Sequence, residues 1–247
     1  MSEEHRQRTI RQKLAAMESQ AVCPAIGTCV ASLDAVLGDG GLPRGRIVEW
    51  FGPPSCGKTT LALQVVSHAQ QRGSIAAWID ADRTFDAGYA TALGVALERL
   101  PVARPESAEE ALAIVRQLLE SGAVDLVVVD SAAALTPSLE LNSGVTDDFS
   151  GLQARVLASG LRRMGCGLRR SGAAALFLNQ TRGRPDAAEV ESSAGGPSLK
   201  LYAPLRLAFL PEQGRRLRLR TLKNHAAAAL REAVLEWREG GGLADPL

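Results

Sequence analysis

Residues Gly52 to Thr60 read GPPSCGKTT, a match to G-x-x-x-x-G-K-[ST] that constrains this chain more than any other stretch. The pattern works only between a strand and a helix. Its glycines let the backbone curl until successive N–H groups face one point, and the helix that follows adds its positive end. The flanks agree: the apolar run RIVEWFG leads into it and a helical pattern from Thr59 to about Gln71 leaves it. Gly52, Pro53, Pro54, Ser55, Cys56, Gly57, Lys58, Thr59 and Thr60 are therefore the expected nucleotide-binding residues. ATP and Mg2+ are the expected cofactors, with Lys58 reaching the β- and γ-phosphates and the Thr59 hydroxyl holding the metal. Kinases, transporters, helicases, recombinases and switches all use such a loop, so its purpose rests on the remaining residues.

The fold class follows from what recurs around it. Five apolar, β-rich segments appear, at Arg46–Gly52, Ser74–Asp80, Val124–Asp130, Ala173–Gln180 and Leu205–Leu210. Helical patterns separate the first four; one begins at a capping box, Ser107 with Glu110, and another covers about Gly151 to Arg170. Buried strands alternating with helices predict an α/β fold with a mostly parallel twisted sheet covered on both faces. RLRLRTLKN and AVLEWRE read as an antiparallel extension. Residues 1–20 read as a short polar helix with Ile10, Leu14 and Met17 on one stripe, and 21–247 as a single core. The stretch Thr181–Gly196 is long, small and polar. It leaves the C-terminal end of a strand, where open α/β sheets place ligands, and is expected to be functional.

Composition narrows the partners. Net charge is +1, so no global field attracts nucleic acid, and basic surface has to be local. It is local at Arg6, Arg8, Arg11 and Lys13, at Arg162, Arg163, Arg169 and Arg170, and at Arg215, Arg216, Arg218, Arg220 and Lys223. Cys23, Cys29, Cys56 and Cys166 have neither C-x-x-C pairing nor histidines at ligand spacing, so reduced thiols are expected. No apolar run reaches membrane-spanning length, and the polar N-terminus is unlike a secretory signal; a cytoplasmic protein is expected. Asp130, closing LVVVD, is the natural carboxylate on the Mg2+ side, and Asp80 and Asp82 in WIDAD can orient an attacking water.

Taken together, SLDAVLGDGGLPRGRIVEWFGPPSCGKTTLALQV, WIDADRTFDAGYATALGV, SGAVDLVVVDSAAALTP and FLNQTR…GGPSLKLYAPLRL resemble the ATPase core of the bacterial RecA recombinases, in that family's order from about Ala25 to Trp237. The resemblance implies a RecA-type core with two DNA loops. It assigns Asp86 and Tyr89 to the adenine, Gln180 to sensing the γ-phosphate, and Asp82 to the catalytic carboxylate beside Lys58. LELNSGVTDDFSG corresponds to the first DNA loop and Thr181–Gly196 to the second. Arg155, Arg162, Arg182, Gly195 and Gly196 match positions that contact DNA phosphates, contacts that are sequence-independent and salt-sensitive.

Four departures bear on activity. The family's catalytic glutamate is Asp82, and an arm one methylene shorter costs about a hundredfold in rate by positioning arguments. The two lysines that reach a neighbouring protomer's nucleotide are Lys223 and His225; an interface phenylalanine is Leu201. The stretch between Gln20 and the core is short, and the family's C-terminal DNA-gathering domain has no counterpart in this sequence. The expectation is an accessory protein of the bacterial DNA-damage response. It would bind ATP and single-stranded DNA, hydrolyse slowly, and act in SOS-type translesion synthesis with a RecA filament or a Y-family polymerase complex, similar to the ImuA group. A minimal strand-exchange recombinase, alone or as a homo-oligomer, and a nucleotide-gated interaction module without DNA fit the same residues.

Overall fold

β1 (Ile47–Gly52) is buried along its whole length, Glu49 included, as a mostly apolar strand covered on both faces requires. The structure, a computed structural model, describes residues 24–144, 147–181 and 193–246 with His5 and Gln7. The helix expected over residues 1–20, those two positions apart, and Arg182 lie outside the described residues.

After α1 (Ala31–Leu37) and β1 come α2 (Lys58–Gln71), β2 (Ala76–Asp80), α3 (Ala87–Ala92) and β3 (Val102–Ala103). Then follow α4 (Ala108–Ser121), β4 (Leu126–Asp130), α5 (Ser138–Leu141), α6 (Leu152–Ser171), β5 (Ala174–Gln180) and α7 (Ser198–Tyr202). β6 (Leu205–Pro211), β7 (Arg216–Asn224), β8 (Glu232–Trp237) and β9 (Leu243–Ala244) complete the order. Among the described residues one sheet runs β3-β2-β4-β5-β1-β6-β7-β8-β9. It is parallel from β3 to β6 and antiparallel beyond. All five apolar segments became strands, and the two tail segments became β7 and β8.

Alternation within the strands sorts the core into two layers. Val48, Trp50, Leu176, Leu178 and Leu207 meet Leu33 of α1 and Leu61 and Val65 of α2 on one face. On the other, Ile47, Val127 and Phe177 meet Val115 and Leu119 of α4 and Leu157, Leu161 and Met164 of α6. Ser107 caps α4 by accepting from the Glu110 N–H at 3.2 Å. The capping box is shifted by one residue, since the Glu110 carboxylate accepts from Glu106 rather than from Ser107. α1 and α3 each span two turns or fewer, too short for an apolar period to show in the sequence. No described helix is long and apolar enough to cross a membrane.

The antiparallel extension curls back onto α2. The Gln64 side chain donates to the Leu243 carbonyl at 3.0 Å and accepts from its N–H at 2.8 Å, so one amide docks β9. Gln64→Leu keeps the volume and leaves both backbone groups unpaired, so we expect a loss of about 1–3 kcal/mol, read as a lower urea midpoint with unchanged slope.

Candidate functional site

The loops leaving β1, β2, β4 and β5 gather at one end of the parallel strands. Between β1 and α2, Ser55 (φ 57°) and Gly57 (φ 96°) bend the chain left-handed. A Cβ on Gly57 would lie 2.8 Å from the Trp237 ring, so only glycine fits there. The N–H groups of Ser55, Gly57, Thr59 and Thr60 find no acceptor among the described residues, which leaves a concave set of donors suited to phosphate oxygens. Lys58 is buried, with its ammonium held on the carbonyls of Gly52 (3.2 Å) and Pro53 (2.6 Å). Its Nζ also lies 3.5 Å from Cys56 Sγ. Burial pushes that thiol up despite the cation, so it packs the loop as a neutral group.

Three carboxylates stand beside this loop, because β2 and β4 pair with Asp80 opposite Asp130. Their roles diverge by environment. Asp80 is fully enclosed and spent on structure: it accepts from the N–H groups of Thr84 (2.9 Å) and Phe85 (3.3 Å) and pairs with Arg104 at 3.0 Å. Asp82 is half-buried, and one oxygen accepts from both the N–H (3.1 Å) and the hydroxyl (3.0 Å) of Ser131. The other oxygen makes no hydrogen bond among the described residues, which separates the two candidates in favour of Asp82. Asp130 accepts from the Thr59 hydroxyl at 2.9 Å. Burial pushes its carboxyl up to about 6; Thr59 and Lys58 oppose this, and the charges of Asp82 and Asp80 add to it.

Gln180 ends β5 directly opposite Gly52 in the register. The Thr181 N–H donates to the Gly52 carbonyl at 3.1 Å. The expected loop Thr181–Gly196 has ordered ends: Thr181 and Ser193 form an antiparallel bridge, and Ala194–Pro197 turns into α7. Asp86 caps α3 by accepting from the Tyr89 N–H at 3.0 Å, and the Tyr89 hydroxyl meets Thr60 at 2.9 Å, so the tyrosine reaches the start of α2. Gly195 (φ 78°) and Gly196 (φ 70°) pack against α6, where a Cβ would fall 2.5 Å from Leu157 and 2.8 Å from Ala154. Arg155 is exposed next to Ala154 on that helix, and Arg162 lies two turns on, donating to the Tyr202 hydroxyl at 3.1 Å.

Lys223 and His225 are elsewhere. Antiparallel pairing sets Lys223 against Arg206, near the start of β6 and thus at the opposite end of the parallel strands from the phosphate loop. Its ammonium donates to the Lys200 and Leu201 carbonyls, and burial with the nearby Arg206 charge lowers its pKa. His225 and Arg162 share a cleft of about 820 Å3 at that end. Leu201, beside it, is 70% exposed.

Against known proteins, a family profile, that of the RecA N-terminal domain, matches residues 8–244. The chain belongs to the RecA family. Protein RecA of Thermus thermophilus is 43% identical over 247 aligned residues, covering 95% of this chain and 72% of that protein. Protein RecA of Streptococcus pneumoniae (strain Hungary19A-6) is 40% identical over 227 residues, 86% of this chain and 58% of that protein. The core is that of a recombinase-like RecA-family ATPase.

Two features of this RecA-family core were missed in the sequence. Trp237 and the turn Gly240–Gly242 wall the phosphate loop and Tyr89 from the far end of the chain. Their signal was three consecutive glycines after a tryptophan. A charged cluster inside the sheet, Glu49 with Asn179 and Arg206, was signalled by one polar residue within each of three apolar strands. The arginines of β7 were visible, but their pairing with Glu212, Glu232 and Glu236 was not.

A pH test follows from Asp130. Its folded pKa lies above the unfolded value, so its contribution to stability is complete below about 4 and is lost as pH rises through about 6. Asp130→Asn, measured without nucleotide and in chelator, should unfold about 1–3 kcal/mol later than wild type at pH 8, and the two should converge near pH 4.

Proposed function

We propose that this chain is an ATP- and Mg2+-dependent, single-stranded-DNA-binding protein of the bacterial DNA-damage response. It hydrolyses ATP slowly and works in SOS-type translesion synthesis beside a RecA filament or a Y-family polymerase complex. The observation that carries the nucleotide half is the set of unspent loop N–H groups facing a Thr59–Asp130 pair. These residues suit the cofactor. Among the described residues no group of three or more side chains could hold a metal alone. Thr59 and Asp130 would be the protein's share in holding Mg2+, with phosphate and water supplying its remaining ligands. Bound metal supplies charge neutralisation for the transferring phosphoryl group. The chain's own work is to offer the loop N–H groups and Lys58 to the phosphates, to place Asp86 and Tyr89 against the base, and to hold Asp82 where water can be oriented.

The DNA half rests on Arg155, Arg162 and the backbone of Gly195 and Gly196, gathered along α6, with Arg182 as a further expected contact. Gln180, between the γ-phosphate position and the bridge Thr181–Ser193, is the natural link between the two halves. Lys223 and His225 face away from their own phosphate loop, which supports a role toward a neighbouring copy's nucleotide. That neighbour is another RecA-type protomer, this chain's own copy or a partner. An accessory rather than a recombinase is favoured by the short Asp82 arm and by the β7 arginines, whose charge is neutralised within the sheet. The recombinase reading draws on the 43% identity across nearly the whole chain.

Electron microscopy with single-stranded DNA and a non-hydrolysable ATP analogue separates the readings. Short or mixed assemblies formed only with a RecA partner support the accessory; long filaments of this chain alone sink it. Asp82→Glu should raise turnover by about ten- to a hundredfold in a steady-state phosphate-release assay. An unchanged or lower rate removes Asp82 from the catalytic role.

A further inference from the structure

Glu49 is completely buried in the middle of β1, and Arg206 is 2% exposed beside it on β6. Their contact, Arg206 Nε to Glu49 Oε2, is 2.5 Å. Nothing in the proposed chemistry uses either. A buried ion pair is also a poor source of stability, since desolvation offsets its attraction and apolar replacements of similar volume are often neutral or stabilising. The pair therefore calls for a use beyond holding β1 against β6.

Its remaining bonds all run the same way. Glu49 Oε1 accepts from the Asn179 amide at 2.9 Å, and that amide also donates to the Ala194 carbonyl at 3.0 Å. Asn179 Oδ1 accepts from the Gln180 N–H at 2.9 Å, and the Gln180 carbonyl accepts from the Ala194 N–H at 2.9 Å. Arg206 lies over the Phe51 ring, 4.5 Å from its centroid, and donates to the Ser193 hydroxyl at 3.4 Å. Apart from the Phe51 contact, each of these branches among the described residues ends on Gln180 or on Ser193–Ala194, the two residues just before the Gly195–Gly196 turn. With both backbone groups of Ala194 engaged, that turn has a fixed origin on β5, the neighbour of the strand that leads into the phosphate loop.

We infer that the Glu49–Arg206 pair is a positioning device for the Gly195–Gly196 turn: acting through Asn179 and Ser193, it sets where the two glycine N–H groups point and thereby controls the affinity for a phosphodiester backbone. This rests on the DNA reading above and deepens it by assigning a cause to the turn's placement. The alternative role is purely structural, and the two separate because an apolar replacement retains stability but not aim.

The test uses the full chain carrying Glu49→Gln with Arg206→Met, which removes both charges together and leaves an acceptor for Asn179. A fluorescein-labelled oligothymidylate is titrated in Mg2+ with a non-hydrolysable ATP analogue, and unfolding midpoint and analogue affinity are measured in parallel. We expect the midpoint and the analogue affinity to hold while the oligonucleotide Kd rises about tenfold, equivalent to about 1.4 kcal/mol. The slope of log Kd against log salt should stay as in wild type, because the glycine N–H groups carry no formal charge and release no counterion. Ser193→Ala, which removes only the last bond, should shift Kd the same way by a smaller factor and covers the case in which the double variant does not fold. A wild-type Kd in a folded variant overturns the proposal. If wild type itself retains no oligonucleotide, the DNA reading falls and takes the proposal with it; if wild type binds and the variants match it, only the positioning role falls.

Discussion

The parallel pairing of β1 with β5 is the constraint on which the rest depends. Its last rung sets Gly52 against Gln180, and the next backbone bond ties Thr181 to the Gly52 carbonyl. The chain's phosphate-loop bend and the bridge Thr181–Ser193 therefore leave the sheet as neighbours. The link proposed through Gln180 would use that adjacency and needs no distant relay. The same rung explains the burial of Glu49, Asn179 and Arg206. They lie within three residues of the ends of their strands or beside them, on the face covered by α6 and α7.

How much of this was legible follows element length and range. Apolar runs of six to eight residues and a twenty-residue helix carry enough pattern to be read directly, and β1, β2, β4, β5, β6 and α6 were. A two-residue strand such as β3 has no pattern to detect. It exists because Trp78 and Ile79 present an open edge to Val102 and Ala103. The phosphate-loop residues were legible because their chemistry is local, with each role fixed by position within nine residues. The residues alone left Asp80 and Asp82 both open and only the family resemblance chose Asp82, because what distinguishes them structurally is Arg104 and Ser131, 24 and 49 residues away. The wall built by Trp237 and Gly240–Gly242 is longer-range still and depends on how three antiparallel strands curl.

The basic segments show the limit of charge counting. Arg216, Arg218 and Arg220 alternate along β7 and point to one face, an arrangement that in sequence reads as a cationic stripe. Glu212 at the preceding turn and Glu232 and Glu236 on β8 face them across the ladder. Cross-strand partners at this distance cancel the far field even where each exposed pair adds little to stability. The arginines of α6 are different in kind. Arg155 and Arg162 are exposed on a helix flanked by the glycine turn, and Arg162 is steadied by a neutral hydroxyl rather than a carboxylate. Charge that is oriented but not neutralised is what a polyanion can use.

The carboxylate cluster completes the physical picture. Asp80 is compensated by Arg104 and two N–H groups, Asp82 by Ser131, and Asp130 by one hydroxyl. The sequence of decreasing compensation toward Thr59 places the least satisfied negative charge where a phosphate-bound cation would sit. Lys58, the nearest positive group, is turned onto the carbonyls of Gly52 and Pro53 rather than onto Asp130. The folded chain thus holds a donor-rich bend and an under-compensated carboxylate side by side without letting them neutralise each other. The magnesium–triphosphate proposed for this site, anionic on one side and cationic on the other, would satisfy both at once.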